Sequence, residues 1–229
     1  SSSILIKNQN HKKVKFHFIE HHVAHLASAF YPSGFKKANG LSIDGSGDFV
    51  TCAIAECDRN KIKIKEKTFF PHSLGIFYHG MTQFLGFKYY GEEYKMMGLA
   101  AYGEPKYFDK IKKNLFFENP NYLFQLNLEY FNHQKPGYKY IAGDSLEIDQ
   151  IYEDKLNDLF LSDINGENDY EEFRKNFASS VQKVYEYFFK KIISNILDKK
   201  FSKNLVFAGG CALNSTANQY ITANNNFDN

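Results

Sequence analysis

The sequence predicts an α/β fold, a mixed sheet flanked by helices. Three observations carry this. Strand-like apolar runs crowd residues 40–70. Residues 169–200 place Phe173, Phe177, Val181, Val184, Phe188, Ile192 and Ile196 at a period of about 3.6, the mark of one long helix with an apolar stripe. Leu205-Val206-Phe207 then breaks at Ala208-Gly209-Gly210 into a further helix beginning near Cys211, and a short buried strand of that kind needs parallel neighbours.

In chain order, residues 14–19 alternate loosely and predict a strand. A helix over 21–30 follows, ending near Tyr31-Pro32-Ser33-Gly34, with Ala24, Ala27, Ser28 and Ala29 small enough for close packing. A strand over 40–44 runs into Asp44-Gly45-Ser46-Gly47-Asp48. This reads as a hairpin turn whose glycines allow positive φ and close approach of backbone to a ligand. Strands over 49–56 and 61–70 are joined by Asp58-Arg59-Asn60. Residues 73–87 carry a helical apolar pattern that stops at Gly86, and 91–101 form a short helix closed by Tyr102-Gly103. Residues 104–166 are less regular and read as an insertion or peripheral elaboration. They hold a Lys-rich helix near 105–116, a strand over 122–131, a polar loop at Lys135-Pro136-Gly137 and a helix near 146–161. The βα half-unit at the C-terminus, with Asn224-Asn225-Asn226 soon after it and no following strand, reads as part of a longer protein.

Bulk properties exclude several classes. With 229 residues, 43% hydrophobic, the chain can bury a sizeable core, and a net charge of +2 is too mild to point to nucleic acid. Cys52, Cys57 and Cys211 are scattered, which argues against a disulfide framework and fits a reducing cytoplasm. No apolar run reaches the ~18 residues of a membrane span, and the Ser-rich start lacks a signal-peptide core.

The chemistry concentrates in two places. His21 and His25 are four apart, so a helix puts both imidazoles on one face within reach of one metal ion. The same spacing also fits two polar positions on a surface helix. Asp44, at the end of the next strand, supplies a third ligand and leaves positions open for substrate. Gly45, Ser46 and Gly47 form one glycine turn and Gly209-Gly210 another. The second, between strand and helix, fits either close strand–helix packing or a phosphate, since free N–H groups and the helix dipole face it. Lys95 fits either a phosphate ligand or a snorkelling surface lysine. Glu92 and Glu93 fit acid–base work or solvated charge. His22, His72 and His79 read as packing or hydrogen-bonding residues.

Several stretches together resemble the NodU/CmcH family of O-carbamoyltransferases. They are Glu20-His21-His22-Val23-Ala24-His25, Asp44-Gly45-Ser46-Gly47-Asp48, Pro71-His72-Ser73-Leu74-Gly75, Gly91-Glu92-Glu93-Tyr94-Lys95-Met96-Met97-Gly98-Leu99-Ala100, Ala178-Ser179-Ser180-Val181-Gln182 and Ala208-Gly209-Gly210-Cys211-Ala212-Leu213-Asn214. The resemblance implies an actin-like ATPase fold of two RNase-H-like subdomains. Residues 1–38 would be the tail of the first, and 39–229 the second, incomplete at its C-terminus. It implies carbamoyl transfer from carbamoyl phosphate, through carbamoyl-adenylate made with ATP, to a hydroxyl of a small-molecule acceptor such as a sugar. A C-terminal adenylate-forming domain would make that intermediate. His21, His25 and Asp44 would hold a divalent metal, iron by resemblance, and Gly45, Ser46, Gly47, Gly209, Gly210 and Asn214 would line the nucleotide. One further family aspartate ligand has no match here, so these residues by themselves are expected to bind metal weakly or not at all. The alternative is an actin-like nucleotide-binding module without transferase chemistry. A relative acting on tRNA or in hydrogenase maturation is a third reading, disfavoured by the mild charge and the lack of a zinc-finger cysteine pattern.

Overall fold

Small residues on one face and branched ones on the other make the central strand two-sided. In the computed structural model the described residues are 15–119, 122–135, 140–141, 147–162, 164, 166–223 and 227–229. The central strand is β1 (Lys37–Gly47), and a helix, α1 (His21–Phe30), precedes it. Ala38, Gly40 and Ser42 lie on the side that α1 covers, while Leu41 and Ile43 point the other way, as strand alternation requires. A Cβ on Gly40 would stand 2.9 Å from Leu26, so glycine lets α1 lie close to the sheet.

β2 (Val50–Asp58) and β3 (Lys61–Phe69) extend β1 as an antiparallel meander. The exposed residues Lys61, Lys63, Lys65 and Lys67 charge the outer edge of β3 and discourage pairing with another chain. α2 (Leu74–Phe84) starts on Ser73, whose Oγ accepts from the Ile76 N–H. α3 (Glu93–Ala100) and α4 (Phe108–Leu115) follow. Two short ladders come next, β4 (Phe116–Phe117) with β5 (Gln125–Leu126) and β6 (Tyr140–Ile141) with β7 (Glu147–Ile148). α5 (Lys155–Phe160) leads to the 32-residue α6 (Glu167–Asp198). β8 (Leu205–Ala208) then pairs parallel to β1, completing a sheet of order β3-β2-β1-β8. A 3₁₀ turn, Gly210–Leu213, precedes α7 (Ser215–Ala223).

Two cores flank the sheet. Leu26 and Phe30 of α1 meet Ala38, Ala55, Cys57 and Val206 on one face. The larger core lies opposite, where α2 and α6 bring Leu74, Phe77, Met81, Phe177, Val181 and Tyr185 against Leu41, Ile43, Cys52 and Ile54. Ile111, Leu115, Phe124, Leu126, Phe131, Ile151 and Phe160, from within 104–166, are buried in this same core. Each fully buried side chain of this size contributes about 1.5–3 kcal/mol. Among the described residues, no helix is long and apolar enough to cross a membrane.

The sequence expectation of a mixed sheet between helices holds, and several local expectations do not. Residues 15–20 form no strand; Phe16, Phe18 and Ile19 alternate without a strand beside them and stay exposed. Val14 lies outside the described residues. The hairpin turn is tighter than predicted: β1 runs on to Gly47, and Asp48 and Phe49 make the turn at φ 50° and 63°. Positive φ thus falls on these two residues and not on Gly45 or Gly47. The strand expected over 122–131 shrinks to Gln125–Leu126, because a 3₁₀ turn occupies Leu128–Tyr130. The helix expected near 146–161 covers only Lys155–Phe160; Leu146, Pro136, Gly137 and Asn224-Asn225-Asn226 lie outside the described residues.

Two histidines at the foot of α2 tie the outer segment to the sheet. His133 Nε2 donates to the Pro71 carbonyl at 2.8 Å, and its Nδ1 is buried without a partner. His72 Nδ1 accepts from the Leu126 N–H at 3.2 Å. Burial pushes both imidazoles below their usual value. Their native form is neutral, so the unfolded chain takes up protons first as pH falls. Stability is therefore complete above pH ~6.5 and declines below it, until the depressed native values are reached. Urea midpoints measured with chelator at pH 7.5 and 5.5 should show the lower one less stable, and His133→Gln should flatten the difference.

A candidate metal centre at the carboxyl ends of β1 and β8

α1 begins where the β1–β2 hairpin ends. Asp48 Oδ2 accepts from the His21 N–H at 2.8 Å, and the Glu20 side chain accepts from the Val23 N–H, satisfying two of the orphan donors of the first turn. His22 turns inward, with Nδ1 2.8 Å from Ser42 Oγ and Nε2 2.8 Å from the Val50 carbonyl. This buried pair of contacts fixes the rotation of α1 over the sheet. The outward face then carries His21 and His25, one turn apart.

Both rings aim at Asp44. His21 Nε2 and His25 Nε2 stand 3.0 and 2.8 Å from Asp44 Oδ2, and 2.9 Å from each other. Three atoms rich in lone pairs cannot all hydrogen-bond one another at these distances. Two ligand atoms at right angles on a cation with bonds of about 2.1 Å stand roughly 3.0 Å apart. The donor set, two imidazole nitrogens and one carboxylate oxygen, therefore fits a divalent transition metal. Burial pushes the Asp44 carboxyl up, but hydrogen bonds from His21, the Gly45 N–H and His25 outweigh it and hold it below the usual carboxylate range.

Glycines let three chain segments crowd this carboxylate. A Cβ on Gly47 would overlap the His21 ring, so the glycine there admits the imidazole. A Cβ on Gly210 would stand 2.9 Å from Asp44 Oδ1, and one on Gly75 would stand 2.8 Å from the Gly45 nitrogen. Gly209 sits at φ 94°, and a Cβ there would overlap the Ile43 carbonyl oxygen. The two glycine turns thus meet at Asp44, at the carboxyl ends of the parallel pair β1 and β8. Crevices at such strand ends are the usual ligand sites of parallel sheets.

The other predicted residues are placed as follows. The Gly45 N–H is engaged by Asp44 Oδ1 at 2.8 Å, and Ser73 Oγ donates to the Gly45 carbonyl at 2.6 Å. Asn214 exchanges hydrogen bonds with Gln182 at 3.1 Å each way and caps α7 by accepting from the Ala217 N–H. The expected helix start at Cys211 is displaced to Ser215 by the 3₁₀ turn, so Gly209-Gly210 do not abut the α7 N-terminus directly. Lys95 is exposed on α3 and ion-paired with Glu92 one turn back. Burial pushes the Cys211 thiol up to about 12 and Cys57 up to about 11, so neither offers a thiolate nucleophile. Sequence reasoning missed Ser73 and Gly75 as supports of the Asp44 turn, although both lie in the Pro71–Gly75 stretch already singled out. It also missed the pairing of His79 with Glu93, for which a separation of fourteen residues gives no signal.

Comparison with known proteins places this geometry. The profile of the Carbamoyltransferase N-terminus family matches residues 2–229. An uncharacterized protein of Synechocystis sp. is 36% identical over 213 residues, 93% of this chain and 33% of the relative. The nodulation protein NolNO of Sinorhizobium fredii is 41% identical over 90 residues, 38% of this chain and 13% of the relative. Nodulation protein NolO of Bradyrhizobium diazoefficiens is 40% identical over 89 residues, 38% of this chain and 16% of the relative. The chain spans at most about a third of each of these three. With the family profile covering nearly every residue, the chain belongs to the Carbamoyltransferase N-terminus family.

Proposed function

We propose that this chain is the transfer module of a carbamoyltransferase, in which His21, His25 and Asp44 hold a divalent metal, iron by the family resemblance. The carbamoyl group comes from carbamoyl phosphate and reaches the module as carbamoyl-adenylate, made with ATP by a further part of the protein. The acceptor is a hydroxyl on a small molecule. The observation that carries this reading is the convergence of three ligand atoms within 4.8 Å in a chain of this family. The sheet order, an antiparallel meander with one parallel strand added, supports an RNase-H-like lobe of an actin-like fold.

When bound, the metal supplies Lewis acidity, polarising the carbamoyl carbonyl or lowering the pKa of the acceptor hydroxyl. The chain's own residues do the rest. His22 fixes the pitch of α1 and so aims both ligating rings. Ser73 and the Gly45 N–H hold the Asp44 turn from either side, so that the carboxylate keeps one orientation. The Gly209-Gly210 turn brings backbone close to Asp44 without a side chain in the way.

The test is carbamoyl-phosphate-dependent formation of AMP and pyrophosphate from ATP by the full-length, metal-loaded protein. AMP formation that needs both carbamoyl phosphate and the His21–His25 pair is the expected result. ATP turnover indifferent to carbamoyl phosphate and to His21→Ala/His25→Ala would instead identify a nucleotide-binding module without transferase chemistry.

A further inference from the structure

A second polar cluster lies along α2, the helix whose start meets Asp44. On α2, Gly75 lies against Asp44 and Gly45, and His79 follows four residues later on the same face, about 6 Å along the axis. His79 is only 5% exposed, and its Nδ1 is 2.6 Å from Glu93 Oε1 in the first turn of α3. Burial pushes the Glu93 carboxyl up, but hydrogen bonds from His79 and backbone N–H groups outweigh it, so Glu93 remains an ionised acceptor. Nδ1 therefore carries a proton, and in the neutral ring the lone pair is on Nε2. That Nε2 is buried and has no hydrogen-bond partner. A buried ring nitrogen without a partner is costly to keep.

The cluster stands near the site already described: the charges of Asp44 and Glu93 both reach Cys211, in the turn after β8. Tyr78, the neighbour of His79, donates to Gln182, which holds Asn214. The Tyr90 ring stands over His79, with centroids 5.8 Å apart. Tyr90 belongs to the connection between α2 and α3, where Gly86 and Gly91 take φ of 90° and 92°. Gly91, between Tyr90 and Glu93, can absorb the backbone rotation that moves this ring aside.

We propose that His79, oriented by Glu93, is the general base that takes the proton from the acceptor hydroxyl; this rests on the carbamoyl-transfer reading above. The acceptor oxygen forms a bond to the carbamoyl carbon while its proton passes to Nε2. The bond from that carbon to the adenylate phosphate oxygen breaks, and AMP leaves with the electron pair. The imidazolium then returns its proton to water. The arrangement, a carboxylate on one ring nitrogen and the substrate on the other, is the general logic of histidine bases.

The experiment uses full-length protein with carbamoyl phosphate and ATP, and water as the hydroxyl. Two readouts are separated: carbamoyl-phosphate-dependent exchange of pyrophosphate into ATP, which reports adenylate formation, and AMP release, which reports transfer. His79→Asn should lower AMP release about 10²–10⁴-fold and leave exchange unchanged. In His79→Ala, added imidazole should restore part of the rate. Should either His79 variant fail to fold, Glu93→Gln, which keeps volume and an acceptor for Nδ1, should still slow AMP release without altering exchange or melting. Folded His79 or Glu93 variants with wild-type AMP release overturn the base assignment alone, as does equal loss of exchange and release. Wild-type protein that shows exchange but no AMP release, or neither, overturns the carbamoyl-transfer reading and the base with it.

Discussion

Asp44→Asn should strip the metal from the full-length protein and lower carbamoyl transfer by about 10³-fold or more, the scale of losing several kcal/mol of charge stabilisation. Asp44 is the one anionic member of the cluster. Its Oδ2 meets both imidazoles, and its Oδ1 accepts the Gly45 N–H and lies beside Gly210. Asparagine keeps the shape but removes the charge that offsets a dication. It also presents an NH₂ group either to two imidazole nitrogens or to the Gly45 N–H. One orientation blocks the ligand space and the other sets donor against donor. Folding should change little, because the carboxylate is only partly buried and the substitution removes no volume from either core. Metal content by plasma emission, AMP release and thermal melting on one preparation test this together. Retention of stoichiometric metal with normal turnover would falsify the assignment of Asp44 as a ligand.

How far the sequence carried can be seen residue by residue. The helix bearing His21 and His25 was legible because its spacing is local, and the apolar stripe of α6 was legible for the same reason. Asp44 joined them only because a glycine turn followed an apolar run. The span of that turn was misjudged: glycine suggested positive φ at 45–47, whereas the structure spends positive φ on Asp48 and Phe49 and uses Gly47 to admit a ring. A steric need for a missing Cβ leaves the same letter in the sequence as a dihedral need, so the two cannot be told apart there. Residues 15–19 failed for the opposite reason: alternation states a preference, and a strand also needs a partner. Ser73, Gly75 and the His79–Glu93 pair depend on how α2 seats against the sheet, a relation between distant segments that no single-sequence pattern encodes. Lys95 fits a phosphate ligand or a surface lysine from its spacing, and the structure shows it exposed and paired with Glu92.

Glycine also supplies the second large expected effect. Gly209→Ala should cost about 3 kcal/mol or more of folding stability, because two independent penalties coincide at that position. The residue sits at φ 94°, which an L side chain rarely adopts, and the added Cβ would run into the backbone carbonyl of Ile43. A side chain could rotate away, but the Ile43 carbonyl belongs to β1, just before Asp44, and β1 is held by β2 on one side and β8 on the other. Relief therefore requires β8 to draw back from β1, which breaks the parallel pairing on which the crevice is built. Two controls separate the terms. Gly34→Ala shares the positive φ, at 75°, but has open space around it, so it should cost only about 1 kcal/mol. Gly47→Ala has ordinary φ, but its Cβ overlaps the His21 ring, an exposed group that can swing out. It should leave the urea midpoint nearly unchanged while metal affinity falls. If Gly209→Ala is no worse than Gly34→Ala in urea denaturation, β8 is not pressed onto β1 as described, and the shared crevice at their carboxyl ends goes with it.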